Sequence, residues 1–236
     1  MSPKKRPRAQ TKTSAITIIF VAYTIACVSV ASALTQSITF PNALSISYTS
    51  SYTIAVQVGA SNDDAGAWWD WAGYYWPWTL DKSHVSVGGF TYGSKYNGGL
   101  RFSNVNIPQG AKIVSALLEV CSDQTCDGTG ARWNIFGQNA GDCNQFSTQE
   151  DFLARPKTAA KVDTGFWTPW IEGQWYQTNI SVILQEIVNR PEWQPSNALA
   201  LLLFGHDEAR TTHEIRSYDA NPNQAAIIEV TFETVG

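Results

Sequence analysis

The sequence predicts an all-β fold, a jelly-roll-like β-sandwich with one short amphipathic helix. Three observations predict it. Apolar residues alternate with a period of two in several short runs, turn-forming clusters separate those runs, and one stretch alone carries a helical period.

Taken in order, Ser45 to Val58 places Ile46, Tyr48, Tyr52, Ile54, Val56 and Val58 mostly on even positions, the pattern of a half-buried strand. Leu100 and Phe102 mark a short strand that ends before Pro108. In Ile107-Pro108-Gln109-Gly110-Ala111, proline fixes φ and glycine tolerates positive φ, so a turn is expected there. Lys112 to Cys121 is apolar on both faces, with Ile113 and Leu117 against Val114, Ala116, Leu118 and Val120. That is the signature of a central strand covered on two sides. Ala131 to Gln138 reads as its returning strand, and Ala198 to Phe204 as a buried one.

The helical exception is Ile180, Ile183, Leu184, Ile187 and Val188, spaced i, i+3, i+4, i+7 and i+8. Thr178 or Asn179 stands where a cap belongs, and Pro191 ends the element. Such a helix is expected to plug one end of the sandwich. Ala226 to Glu233 alternates Ile228, Val230 and Phe232 with Glu229, Thr231 and Glu233, a last strand with one wet face. Gly88-Gly89, Asn97-Gly98-Gly99 and Asp127 to Gly130 are read as turns.

The N-terminus is organised for export. Lys4, Lys5, Arg6, Arg8 and Lys12 form a basic region, Ala15 to Val30 is uncharged and apolar, and Ala31-Ser32-Ala33 supplies small residues for cleavage. Residues 1–33 are therefore expected to be a signal peptide, with retention as an N-terminal anchor the alternative. Residues 34–60 read as an extended segment, a candidate donor strand, and 61–236 as the sandwich domain. Removing the five basic residues of the leader leaves eleven Lys and Arg against twenty acids, a formal charge of −9. An acidic body of this kind excludes nucleic acid as partner, because that binding depends on clustered cations.

Three cysteines follow the leader. In an oxidising compartment one pair is expected to bridge, and the short separation of Cys121 and Cys126 favours that pair over Cys143.

Gly98 to Ile113, Leu184 to Trp193, Asn197 to Ala200 and Arg216 to Ala220 form a succession that resembles secreted β-sandwich modules of the DNRLRE-like and carbohydrate-binding-module type. The resemblance covers about three quarters of the chain beyond the leader and implies an extracellular or cell-surface setting. It also allows a structural calcium ion. Calcium takes six to eight oxygen ligands, and the candidates here are Asn62, Asp63 and Asp64, with Asp70, Asp142 or Asp219 as distant partners and Asp219 the one carried forward. Arg101, among apolar neighbours, needs a buried carboxylate, for which Asp219 is the candidate.

The densest feature is Trp68, Trp69, Trp71, Tyr74, Tyr75, Trp76 and Trp78, seven rings in eleven residues. They are too many for one face of one strand. A platform that stacks on sugars and a plug over the sandwich mouth are the two readings. Trp167, Trp170 and Trp175 form a looser group, read as packing. Catalytic motifs are missing: no Gly-x-Ser-x-Gly elbow, no phosphate loop, and no second histidine spaced as in a zinc protease. His206-Asp207-Glu208 is the nearest approach to a reactive cluster.

The sequence thus points to an extracellular, non-catalytic surface protein that meets a polysaccharide or surface glycan through its Trp/Tyr loop. The alternatives are a filament or coat subunit that binds copies of itself by strand donation, and a secreted glycan hydrolase or lyase with paired carboxylates.

Overall fold

A computed structural model describes residues 33–35, 49–69, 78–89, 95–126, 130–165, 169–209 and 211–235, with the backbone alone at 33–35, 67–69 and 235. Among these residues the strands are β1 (Ala33–Thr35), β2 (Thr49–Gln57), β3 (Asp64–Trp69), β4 (His84–Gly89), β5 (Lys95–Phe102), β6 (Lys112–Cys121) and β7 (Trp133–Gln138). Helix α1 (Gln149–Ala154), β8 (Lys157–Asp163), β9 (Trp175–Asn179), α2 (Ser181–Val188), β10 (Leu199–Gly205), β11 (Thr212–Arg216) and β12 (Ile227–Val235) complete the order. Residues 1–32, within the expected signal peptide, and residues 36–48 lie outside the described residues.

The strands form two antiparallel sheets, so the fold is the expected all-β sandwich. The first runs β1-β2-β12-β6-β9, the second β11-β4-β5-β10-β7-β8 with β3 on the free side of β5. Alternation explains why they stack. Ile54, Leu118, Val120, Ile228 and Val230 of the first sheet meet Val85, Leu100, Phe102, Ile135, Leu201 and Leu203 of the second, all buried in one core. The outer face of the first sheet is wet and carries cross-strand polar pairs: Thr53 with Thr231 at 2.9 Å, Gln177 with Glu119 at 3.0 Å, and Lys112 with Glu233 at 2.9 Å.

Helix α2 lies between the sheets, against β6 of one and β7 and β8 of the other. Ile183, Leu184, Ile187 and Val188 are buried, as their spacing requires. Gly137 makes the seat: a Cβ there would lie 2.7 Å from Ile187 Cδ1 and 2.8 Å from Ile183 Cγ2. Asn179 Oδ1 accepts from Ser181 N at 2.9 Å, while the Ser181 hydroxyl accepts from Ala116 N at 2.8 Å. The Glu186 carboxylate accepts from Ala159 N and Ala160 N, satisfying two amides of the edge strand β8.

Three expectations are corrected. Strand β6 is central but not covered on both faces, since Val114 remains 49% exposed. The doubly covered strand is β10, whose Leu199, Leu201 and Leu203 enter the main core while its Ala200 and Leu202, with the preceding Ala198, enter a second cluster on the outer face. The Asn97-Gly98-Gly99 and Gly88-Gly89 stretches are strand, not turn. Gly98 lies against Val85 and Gly99 against the Phe146 ring, so neither position has room for a side chain. The turn at Pro108 does form, with Gly110 at φ 72° and Ala111 N donating to Pro108 O at 3.1 Å.

Candidate functional site

The aromatic-rich stretch is an excursion whose two ends are tied together. It leaves along β3 and returns at Thr79, where Gly66 and Thr79 exchange both backbone hydrogen bonds at 3.1 Å. Trp68 and Trp69 are the last positions of β3, opposite Tyr96 and Lys95 of β5. Trp71, Tyr74, Tyr75 and Trp76 lie outside the described residues. Trp78 is half-buried, its ring 4.9 Å from that of Phe152 and 6.2 Å from that of Phe146.

From Trp78 a row of rings crosses the outer face of the second sheet. Helix α1 supplies Phe152, which stacks on Phe204 at 5.2 Å, and Phe204 meets Phe136 edge-on at 6.0 Å. Phe136 and Phe204 are only half-buried. The Lys157 ammonium sits 3.5 Å over the Phe204 ring, and Lys161 stands opposite Phe136 in the β7–β8 register. Desolvation against this surface lowers the Lys157 pKa.

The order of this face comes from its underside. Arg155 is buried, donates to Gln138 Oε1, Asn144 O, Gln145 O and Asp151 Oδ2, and stacks 4.3 Å from the Phe146 ring. Thr148 caps α1 by accepting from Asp151 N at 3.2 Å. Cys143 lies in the same cluster, where burial pushes its thiol up to about 11. Sequence reasoning missed α1, Phe136, Phe204 and the two lysines. The Thr148 to Asp151 spacing was the available cue for the helix. Nothing in the linear sequence brings Phe136 beside Phe204, because that contact is a register property of β7 and β10.

The acidic candidates Asp63, Asp64 and Asp219 lie near one another, and each has its own protein partner; Asp70 lies outside the described residues. Asp63 is buried and paired with Arg101 at 2.6 Å, which also donates to Cys143 O at 2.7 Å. Arg101 therefore finds Asp63, not Asp219, because the 3-10 turn at Ser61–Asp63 lies against β5. Asp64 is buried and accepts from Tyr218 N at 2.7 Å. Burial raises its pKa to about 7, the Tyr218 amide opposes this, and Asp219 and Asp63 add to it. Asp219 is exposed and accepts from the Ser61 hydroxyl at 2.7 Å, while Asn62 contributes its carbonyl to Phe146 N at 3.0 Å.

No family model and no curated protein matches this chain. The His206-Asp207-Glu208 loop is occupied by surface pairs, Asp207 with Lys95 and Glu208 with Arg132. His213 is buried and stacks 4.1 Å from Trp170, which in turn stacks 4.2 Å from Tyr176. Trp170 is thus core, as expected, whereas Trp175 is 39% exposed and Trp167 lies outside the described residues.

Cys121, Cys126 and Cys143 are free thiols, so the expected Cys121–Cys126 bridge is not formed. Cys121 faces Ser122 O. Cys126 is drawn off by a backbone bridge to Trp170, and its sulfur faces Thr212 O at 3.9 Å.

Proposed function

We propose that this chain is an exported, non-catalytic binding module that takes polysaccharide or surface glycan on the aromatic face of its second sheet, with the Trp/Tyr-rich excursion as contact loop. The observation that carries the reading is ring continuity. Trp78, Phe152, Phe204 and Phe136 run from the root of the excursion to a lysine-flanked edge. Flat rings with a polar margin suit the C–H faces of sugars, and Lys157 and Lys161 offer donors to hydroxyl or carboxylate groups. The resemblance to secreted sandwich modules supports the same setting. Affinity electrophoresis through a polysaccharide panel tests it: at least one glycan retards the protein, and Trp69→Ala with Trp76→Ala abolishes the retardation. Absence of retardation across the panel overturns the reading.

A second reading, self-assembly by strand donation, is favoured by one observation. β1 covers only Thr49 to Ser51 of β2, and residues 52–57 have β12 on one side and no described strand on the other. That row of amides is suited to a strand from another copy. Assemblies that persist unchanged under the electron microscope after deletion of residues 34–44 would exclude strand donation from that segment.

A further inference from the structure

We propose a divalent transition-metal site, of the kind zinc occupies, formed by His84, Asp123 and Glu214 where the two sheets meet. It lies apart from the aromatic face and does not depend on the glycan reading. His84 opens β4, Glu214 belongs to β11, and Asp123 follows β6 of the other sheet. The β4–β11 register sets Arg216 opposite His84 and Glu214 opposite Ser86, so His84 and Glu214 share one face as diagonal neighbours. Backbone bonds hold the three segments together: Asp123 N donates to Glu214 O at 2.9 Å, Ser217 N to Ser83 O at 3.1 Å, and Ser122 bridges Ile215.

The side chains then converge. One nitrogen of His84 and one oxygen each of Asp123 and Glu214 lie within 4.8 Å of one another, all partly buried. His84 Nδ1 is 3.7 Å from Asp123 Oδ2 and Nε2 is 3.7 Å from Glu214 Oε1. Both separations are too long for hydrogen bonds. Donors held about 2.0 to 2.2 Å from a tetrahedral zinc ion stand roughly 3.4 Å apart, and since one ion takes a single imidazole nitrogen, the three side chains would close from within 4.8 Å by rotamer adjustment to seat it.

The surroundings suit a cation. Arg216 Nε donates to Asp123 Oδ1 at 2.7 Å, which fixes the carboxylate and leaves Oδ2 turned to the imidazole. A ligating carboxylate held by an outer donor is a common feature of metal sites. Arg216 is itself held by Gln224 at 2.7 Å and stands 3.5 Å from Glu172, so two carboxylates, Asp123 and Glu172, face one guanidinium. The Ser83 hydroxyl, 3.2 Å from Nδ1, offers a partner for that nitrogen when Nε2 binds metal. The imidazole selects zinc-type ions over calcium, which needs more oxygens than these three residues supply.

A bound ion would tie the end of β6 to β4 and β11, a clasp between the sheets. The experiment uses the tag-free full chain with zinc, cobalt and calcium chlorides. Calorimetry should give one zinc per chain, cobalt should develop the visible absorption of a low-coordinate site, and calcium should do neither. Zinc at a hundredfold excess over its dissociation constant should raise the unfolding temperature by about 5 °C. His84→Ala and Glu214→Gln should each weaken zinc binding at least tenfold while the metal-free unfolding temperature holds. No zinc binding, or zinc affinity unchanged in Glu214→Gln, overturns the proposal. Should His84→Ala fail to fold, Glu214→Gln decides alone.

Discussion

Replacing Asp64 by asparagine removes one titration and almost nothing else. The amide oxygen can still accept from Tyr218 N, and the volume is unchanged. In the native protein burial lifts this carboxyl from 3.8 to about 7. The folded state therefore holds the proton more tightly than the unfolded chain does. Its contribution to stability is complete below pH 3.8 and declines as pH rises towards 7, where folded Asp64 must also ionise. Each unit of that interval costs about 1.4 kcal/mol, so the whole span of about three units is worth at most about 4 kcal/mol. Urea unfolding followed by tryptophan fluorescence, at pH of about 4 and about 8, measures it. At the acid end the two proteins should be close in stability. At the alkaline end Asp64→Asn should be the more stable by a few kcal/mol. Parallel stability curves for the two proteins would refute the assigned titration. The same series tests the calcium candidates: an ion held by Asp63, Asp64 and Asp219 would restore native stability near pH 8 and leave the variant unmoved.

Other consequences follow from the packing. Gly137→Ala should lower stability by about 1 to 3 kcal/mol in urea unfolding, since its Cβ would press on Ile183 and Ile187; a neutral result would mean that α2 shifts freely. Arg101→Met leaves Asp63 buried without its partner and should cost about 3 to 5 kcal/mol, which thermal or urea melts would show. Trp78→Ala should destabilise by about 2 kcal/mol through lost contact with Phe146 and Phe152, with weaker retention on any glycan the native chain binds. Thiol titration of the folded protein should label Cys126 quickly and Cys121 and Cys143 only on unfolding, and all three in denaturant; two fewer thiols in denaturant would reveal a Cys121–Cys126 bridge.

The elements legible in the sequence are those with a strong apolar period. Lys112 to Cys121, the helix after Asn179, the run into β10 and the last strand all fall within two residues of their expected bounds. β8 was invisible for a physical reason. Lys157-Thr-Ala-Ala-Lys-Val-Asp has little apolar surface to advertise, because it is an edge strand whose amides are satisfied by Glu186. β4 was hidden by glycines that read as a turn. The glycine is there because Gly88 approaches the backbone of Thr211, which only the folded pairing reveals. The aromatic cluster was legible as composition, but its continuation through Phe152, Phe204 and Phe136 arises from three elements far apart in the chain. His84, Asp123 and Glu214 are likewise scattered, and neither spacing nor residue type joins them before the sheets do.

The asymmetry between the two sheets bears on the proposed glycan contact. On the first, outward positions pair polar side chains across strands, Thr53 with Thr231 and Glu119 with Gln177. On the second, Ala198 and the β10 residues Ala200 and Leu202 are buried outward, and a six-residue helix ended by the buried Arg155 packs on the cluster through Phe152. A solvated antiparallel sheet needs no such cover. Covering it with rings from α1, β7, β10 and residue 78 leaves Phe136 and Phe204 half-open beside two lysines. Half-open rings beside lysines are the apolar margin that the proposed glycan contact would use.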